Sequence, residues 1–181
     1  MTAPQQGYML IADITGYTMY LSQSELEHAQ RVLQTLLELL IEHTKPPMRI
    51  SNLEGDAVFS YSLQGIALQG QTFVEMIENT YVAFRRAIDL MVMNNTCKCN
   101  ACANISTLDL KFFIHHGTYG IQRLGGHDEL VGSDVNLIHR LHRCVGQREE
   151  IRCVNVVFHL RRTLRARHHA GHSVEHHRSA T

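Results

Sequence analysis

The stretch Tyr8-Met9-Leu10-Ile11-Ala12-Asp13-Ile14-Thr15-Gly16 decides the fold. Its apolar run reads as a buried strand over residues 8–14, and Gly16 supplies the turn that ends it. A carboxylate inside such a strand is costly unless it is hydrogen-bonded or coordinated. A second acid stands in a comparable setting, Asn52-Leu53-Glu54-Gly55-Asp56-Ala57-Val58-Phe59, where Asp56 occupies the tip between short strands at 48–53 and 57–62. Brought together, Asp13 and Asp56 would suit a hard divalent cation, Mg²⁺ or Mn²⁺, the usual partner of phosphates. The plainer alternative is that Asp13 caps its own turn and Asp56 forms an ordinary Gly-Asp hairpin.

Working outward, helical spacing predicts a helix over about 24–43 with Leu26, Ala29, Leu33, Leu36, Leu37 and Leu40 on one face. Ser22 or Ser24 is the expected cap, and Pro46-Pro47 the stop. After a Gly/Gln-rich loop at 63–72, a second helix is predicted over about 72–93, with Phe73, Met76, Ile77, Phe84, Ala87, Ile88 and Met91 at helical spacing. Leu108–His115 reads as a strand, Gly117 as a turn, and Gly125-Gly126-His127-Asp128 as a hairpin. A short strand at 129–131 leads through Gly132 to a helix from Asp134, with Val135, Ile138 and Leu141 inward. The order β-α-β-β-α-β-β predicts an α+β fold of ferredoxin-like type, a mainly antiparallel sheet with helices packed on one face.

The chain has 181 residues and 44% apolar content, enough for one domain with a real core. It contains no apolar run near the ~18 residues of a membrane span and opens with no basic-apolar leader, so a cytoplasmic location is expected. Seventeen basic and seventeen acidic side chains cancel, which argues against dedicated nucleic-acid binding. The balance is uneven, since residues 142–181 hold eight arginines against three acids. We read residues 1–145 as the folded domain and 146–181 as a basic His/Arg-rich tail, partly disordered, with Val154–Leu160 as a candidate strand.

Two further constellations carry chemistry. In Gly132-Ser133-Asp134-Val135-Asn136-Leu137-Ile138-His139-Arg140-Leu141, Asn136 and Arg140 are four apart and share a helix face. Arginine could stabilise charge on a pentacoordinate phosphorus, and the Asn amide could orient a sugar or phosphate oxygen. Cys97-Lys98-Cys99-Asn100-Ala101-Cys102, in a connector at 96–105, offers thiolates at spacings compatible with structural Zn²⁺ or an iron–sulfur centre. Its fourth ligand would be Cys144, a nearby His or a cysteine of another subunit, and three reduced loop thiols are an equal alternative. His115 and His116 end a strand and face opposite sides of the sheet.

Asp13-Ile-Thr-Gly-Tyr-Thr, Gly55-Asp56, His116-Gly117 and Gly132-Ser-Asp-Val-Asn136-Leu-Ile-His-Arg140-Leu together resemble the catalytic domain of class III adenylate and guanylate cyclases. The blocks stand in that family's order across residues 8–143. The resemblance implies a homodimer with composite sites and a nucleoside triphosphate substrate. It places Asp13 and Asp56 at the two metal positions, Asn136 at the ribose-orienting position and Arg140 at the transition-state arginine. The 3′ hydroxyl would attack the α-phosphorus, giving a cyclic 3′,5′ nucleotide and pyrophosphate. The positions that read the base carry Asn52 and Glu129 instead of the adenine-selective Lys and Asp, which leaves adenine, guanine and pyrimidine open. The late phosphate-binding lysine has no counterpart after residue 145, with Arg161 or Arg162 as stand-ins. The expectation is therefore a nucleotidyl cyclase or, alternatively, a catalytically weak or inactive cyclase-like nucleotide-binding or regulatory homodimer, with a Cys-bound metal as a candidate staple.

Overall fold

The computed structural model describes residues 3–63, 70–146 and 157–158. The sheet is built around β1 (Gln5–Thr15), which pairs antiparallel with β3 (Ala57–Ser62) and β4 (Asp109–Leu124). β2 (Met48–Glu54) extends it beyond β3, and β5 (His127–Val131) beyond β4, giving the order β2-β3-β1-β4-β5. A two-residue β6 (Val157–Phe158) pairs with Phe112 and Phe113 of β4. β2 and β5, at the two ends of that order, approach each other, so the sheet curls. The architecture is thus α+β with a curled antiparallel sheet, as the element order predicts.

Because side chains alternate along a strand, β1 serves two cores. Leu10, Ala12 and Ile14 face α2 (Leu26–Thr44) and α3 (Gly70–Met93), where Leu36, Leu40, Phe84 and Ile88 are fully buried. Each such side chain contributes about 1.5–3 kcal/mol of transfer free energy. Met9 and Ile11 face the other way, against Val135, Ile138 and Leu141 of α5 (Ser133–Gly146). The two long helices share one face as expected, and α5 covers the opposite one. Asp13 has the parity of Met9 and Ile11, which sets it on the α5 side.

Four local expectations are revised. A short α1 (Tyr17–Ser22) precedes α2, whose cap is Glu25 rather than a serine; Ser22 Oγ donates to the Met19 carbonyl instead. Leu26 is 63% exposed, because it lies at the edge of the apolar stripe with Leu37 and Ile41 and borders a surface groove of about 640 Å³. The 96–105 connector is partly helical, with α4 (Asn100–Asn104) followed by a 3-10 turn at Ile105–Thr107.

The fourth revision concerns Gly117, which makes no turn. β4 runs straight through it, in register from Thr15↔Asp109 to Gln5↔Tyr119. Glycine is needed there because a Cβ would lie 2.5–2.7 Å from the Asp134 side chain. That carboxylate accepts the Thr118 backbone N–H at 2.7 Å and lies 3.0 Å from His115 Nε2, tying α5 to β4. The real turn is Gly125-Gly126, with φ of 56° and 88°, between β4 and β5. The Val154–Leu160 strand is seen only as Val157–Phe158, and the rest of the expected tail, with Arg161 and Arg162, lies outside the described residues. Among the described residues no helix is long and apolar enough to cross a membrane.

Gly117→Ala should displace Asp134 and cost about 1–3 kcal/mol, the range for overpacking a filled site. Urea denaturation of the variant beside the parent protein measures it, and an unchanged midpoint would contradict the close approach.

Candidate functional site

Asp13 enters the site at the end of β1, and β4 brings its partner. Register places Lys111 directly opposite Asp13, and the Lys111 Nζ lies 3.1 Å from Asp13 Oδ2 with both side chains at most 15% exposed. From α5, His142 Nε2 lies 3.6 Å from Asp13 Oδ1, beyond a strong hydrogen bond. Burial alone pushes the Asp13 carboxyl up; His142 and the Lys111 ammonium outweigh it and hold the group below its ordinary value.

Asp56 reaches the same place from the β2–β3 turn. Gly55 takes the left-handed conformation, φ 67°, that a two-residue turn between these strands demands. The Asp56 carbonyl accepts the Ile14 backbone N–H at 3.1 Å, which locks the turn beside the residue after Asp13. Desolvation, and then repulsion from Asp13, raise the Asp56 carboxyl above its ordinary value. The two neighbouring carboxyls are thus shifted in opposite directions, Asp13 down and Asp56 up. The fold sets two carboxylates side by side, with Asp13 opposite Ala57 in the β1–β3 register and Asp56 one residue before it.

α5 supplies the wall of the site. Besides His142, His139 Nδ1 lies 3.3 Å from Glu54 Oε2, and its ring meets Phe59 edge-on at 4.7 Å. Asn136 and Arg140 are exposed, on the side of the helix turned away from Ile138 and His142. One protomer therefore brings Asp13 and Asp56 together but does not turn Asn136 and Arg140 toward them. Asn52 is also exposed and donates from Nδ2 to Glu54 Oε1 at 3.0 Å, while Glu129 is exposed on β5. These two positions sit on the strands whose curled ends approach each other.

Lys111, His139 and His142 escaped the sequence reading. Lys111 had a signal, a cation inside the apolar strand Leu-Lys-Phe-Phe, but naming its partner required the β1–β4 register. The histidines of α5 had none, since their spacing from Ile138 and Leu141 fits an exposed face as well.

A second cluster lies on the α2–α3 side. Cys97, Cys99 and Cys102 converge on His28 of α2, and the four candidate ligand atoms all lie within 4.8 Å of one another, an arrangement that could hold a metal such as zinc. Cys144, the other candidate for a fourth ligand, is on α5, and its side chain is outside the described set.

This is the fold of class III adenylyl and guanylyl cyclase catalytic domains. A bacterial light-regulated adenylyl cyclase matches with a TM-score of 0.60 over 81% of this chain and 73% of its own, at 11% identity. A class III adenylyl cyclase-like ATP-binding protein from Pseudomonas aeruginosa matches with a TM-score of 0.59 over 76% of this chain and 31% of its own, at 21% identity. At these identities the likeness is one of fold. By sequence the chain belongs to the family described as a protein of unknown function (DUF2652), whose family model matches residues 33–150. The protein called "Uncharacterized protein Rv2561/Rv2562" of Mycobacterium tuberculosis (strain ATCC 25618 / H37Rv) is 32% identical over 109 residues, which cover 59% of this chain and 49% of that relative. The chain thus spans about half the length of the curated relative it matches.

Lys111→Met should be strongly destabilising near neutral pH, by up to about 3–5 kcal/mol, because it strips a buried carboxylate of its principal counterion. Asp13 has a depressed pKa, so its pairing contributes stability above the ordinary carboxylate range that is lost as pH falls. The penalty of the variant should therefore shrink on acidification, as Asp13 becomes neutral. Urea denaturation of both proteins at neutral and acidic pH measures it, and an equal penalty at both would contradict an ionised Asp13.

Proposed function

We propose that the chain is a divalent-metal-dependent nucleotidyl cyclase, converting a nucleoside triphosphate into a cyclic 3′,5′ nucleotide and pyrophosphate. The observation that carries this reading is the pairing of Asp13 with Asp56 at adjoining strand ends of a cyclase fold, where the Ile14 N–H donates to the Asp56 carbonyl and Asp13 lies opposite Ala57. Mg²⁺ or Mn²⁺ held there would lower the pKa of the attacking hydroxyl and neutralise phosphate charge. Because Asn136 and Arg140 point away from their own Asp13, the reading requires a homodimer. In it, Asn136 and Arg140 of one subunit orient the sugar and stabilise the pentacoordinate phosphorus over the aspartates of the other. Asn52 and Glu129 take the base-reading roles. Residues 1–145 form the cyclase-like domain, to whose sheet Val157–Phe158 add a short strand, and the rest of 146–181 is a basic tail, in a cytoplasmic protein without dedicated nucleic-acid binding.

A second reading has one specific observation behind it. Lys111 already stands 3.1 Å from Asp13, where it competes with a divalent ion for the same carboxylate oxygen. In that case the chain is a catalytically weak or inactive cyclase-like homodimer that binds nucleotide for regulation.

The test is incubation of the purified full chain with ATP, GTP, CTP or UTP and Mn²⁺, reading cyclic product by mass spectrometry. The cyclase reading expects product from at least one triphosphate, abolished by Asp13→Ala or Asp56→Ala. An inactive mixture of Asp13→Ala and Arg140→Ala chains should regain up to about a quarter of the parent rate, since half the dimers are mixed and each rebuilds one site. No product, with saturable triphosphate binding, selects the second reading; no product and no binding overturns both.

A further inference from the structure

We propose that the chain holds one structural zinc ion on the thiolates of Cys97, Cys99 and Cys102 and the imidazole Nδ1 of His28. This site fastens the start of α2 to the connector between α3 and β4. It shares no residue with the acidic pair, and the proposal stands whether or not the chain is a cyclase.

The distances from the His28 nitrogen to the three sulfurs fit those around a tetrahedral ion. His28 Nδ1 lies 3.2 Å from Cys99 Sγ, 3.7 Å from Cys97 Sγ and 3.8 Å from Cys102 Sγ. Zn–N bonds of about 2.05 Å and Zn–S bonds of about 2.3 Å at tetrahedral angles put nitrogen about 3.6 Å from each sulfur and the sulfurs about 3.8 Å apart. The observed nitrogen–sulfur distances bracket that value, and the whole set fits within 4.8 Å. A two-iron cluster would spread ligands on opposite irons farther than this. Three soft thiolates and an imidazole suit zinc and exclude Mg²⁺ or Ca²⁺, and four protein donors leave no open position. The site is therefore closed and structural.

The surroundings are those of a built site. Cys99 caps α4, and its sulfur accepts the Cys102 backbone N–H at 3.5 Å, the kind of contact that steadies a metal-bound thiolate. Glu25, the cap of α2, stands three residues before His28 and reaches the same segment, its carboxylate accepting the Asn100 and Ala101 N–H groups at 3.2 and 3.0 Å. One end of α2 thus grips the connector twice, by carboxylate and by imidazole. The connector itself contributes few large buried side chains, chiefly Ile105 and Leu108, so a metal crosslink would add what packing there supplies only sparsely.

The experiment uses the full chain purified with a histidine-free tag under reducing conditions and dialysed against a weak chelator, which clears loosely held metal from the tail histidines. Elemental analysis should find about one zinc per chain, removed by Cys99→Ser and by His28→Ala. Cobalt substitution should give the intense visible bands of a tetrahedral ion, with sulfur-to-cobalt charge transfer. His28→Cys should keep the metal and raise that charge transfer by about a third, since it scales with the number of thiolates, three becoming four. Removal of the metal with a strong chelator should lower the melting temperature of the parent and leave Cys99→Ser unmoved. Absence of zinc, iron in its place, a disulfide among the three cysteines, or zinc surviving both Cys99→Ser and His28→Ala would each overturn the proposal.

Discussion

The ion pair between Asp13 and Lys111 is the constraint around which the sheet is organised. An ionised carboxylate near the end of a buried strand must find a cation or lose its charge, and water is largely excluded. Antiparallel register answers this by setting Lys111 directly across the β1–β4 ladder, so pairing those strands also delivers the counterion. A shift of one residue would send Lys111 to the other face, among the apolar side chains of α2 and α3. The same register fixes where His115 stands, and hence where Asp134 anchors α5. Strand pairing, charge compensation and the docking of α5 are thus one decision.

Much of this was legible in the residues. Long apolar stripes such as Leu33-Leu36-Leu40 and Phe73-Ile77-Phe84-Ile88 announce helices because burial is their main source of stability, and their boundaries fell within a few residues of those expected. Gly117 departs from the expected turn for an identifiable reason. Glycine signals either a turn or a close approach, and the approaching atom, the Asp134 carboxylate, lies seventeen positions away in the chain. The Glu25 cap was hidden in the same way, since its carboxylate spends itself on α4 rather than on its own helix. The acidic pair was visible as two local anomalies. The surroundings that shift their two carboxyls in opposite directions were not, because Lys111 and His142 arrive from other elements. For the cysteine cluster, three donors stood together in sequence, and only the packing of α2 on the connector identifies His28 as the fourth.

The position of α5 explains how one helix can bear on two tasks. Its inner side, through Ile138, His139 and His142, closes the sheet and touches Glu54 and Asp13. Its outer side displays Asn136 and Arg140 to solvent. Packing constrains the first set and leaves the second free to change with function. In a family defined by sequence alone, variation at the outer positions would speak to chemistry, and variation at the inner ones to folding.

The curl of the sheet has a consequence for the protein in a crowded cell. An open antiparallel sheet ends in strands with unpaired backbone groups, which can recruit foreign strands and seed aggregates. Here β2 and β5 bend toward each other, so neither offers a long, flat template. Where β4 stands without β5, Val157 and Phe158 take up its backbone groups at Phe112 and Phe113. The geometry that draws the two ends of the sheet together also guards the chain against wrong company.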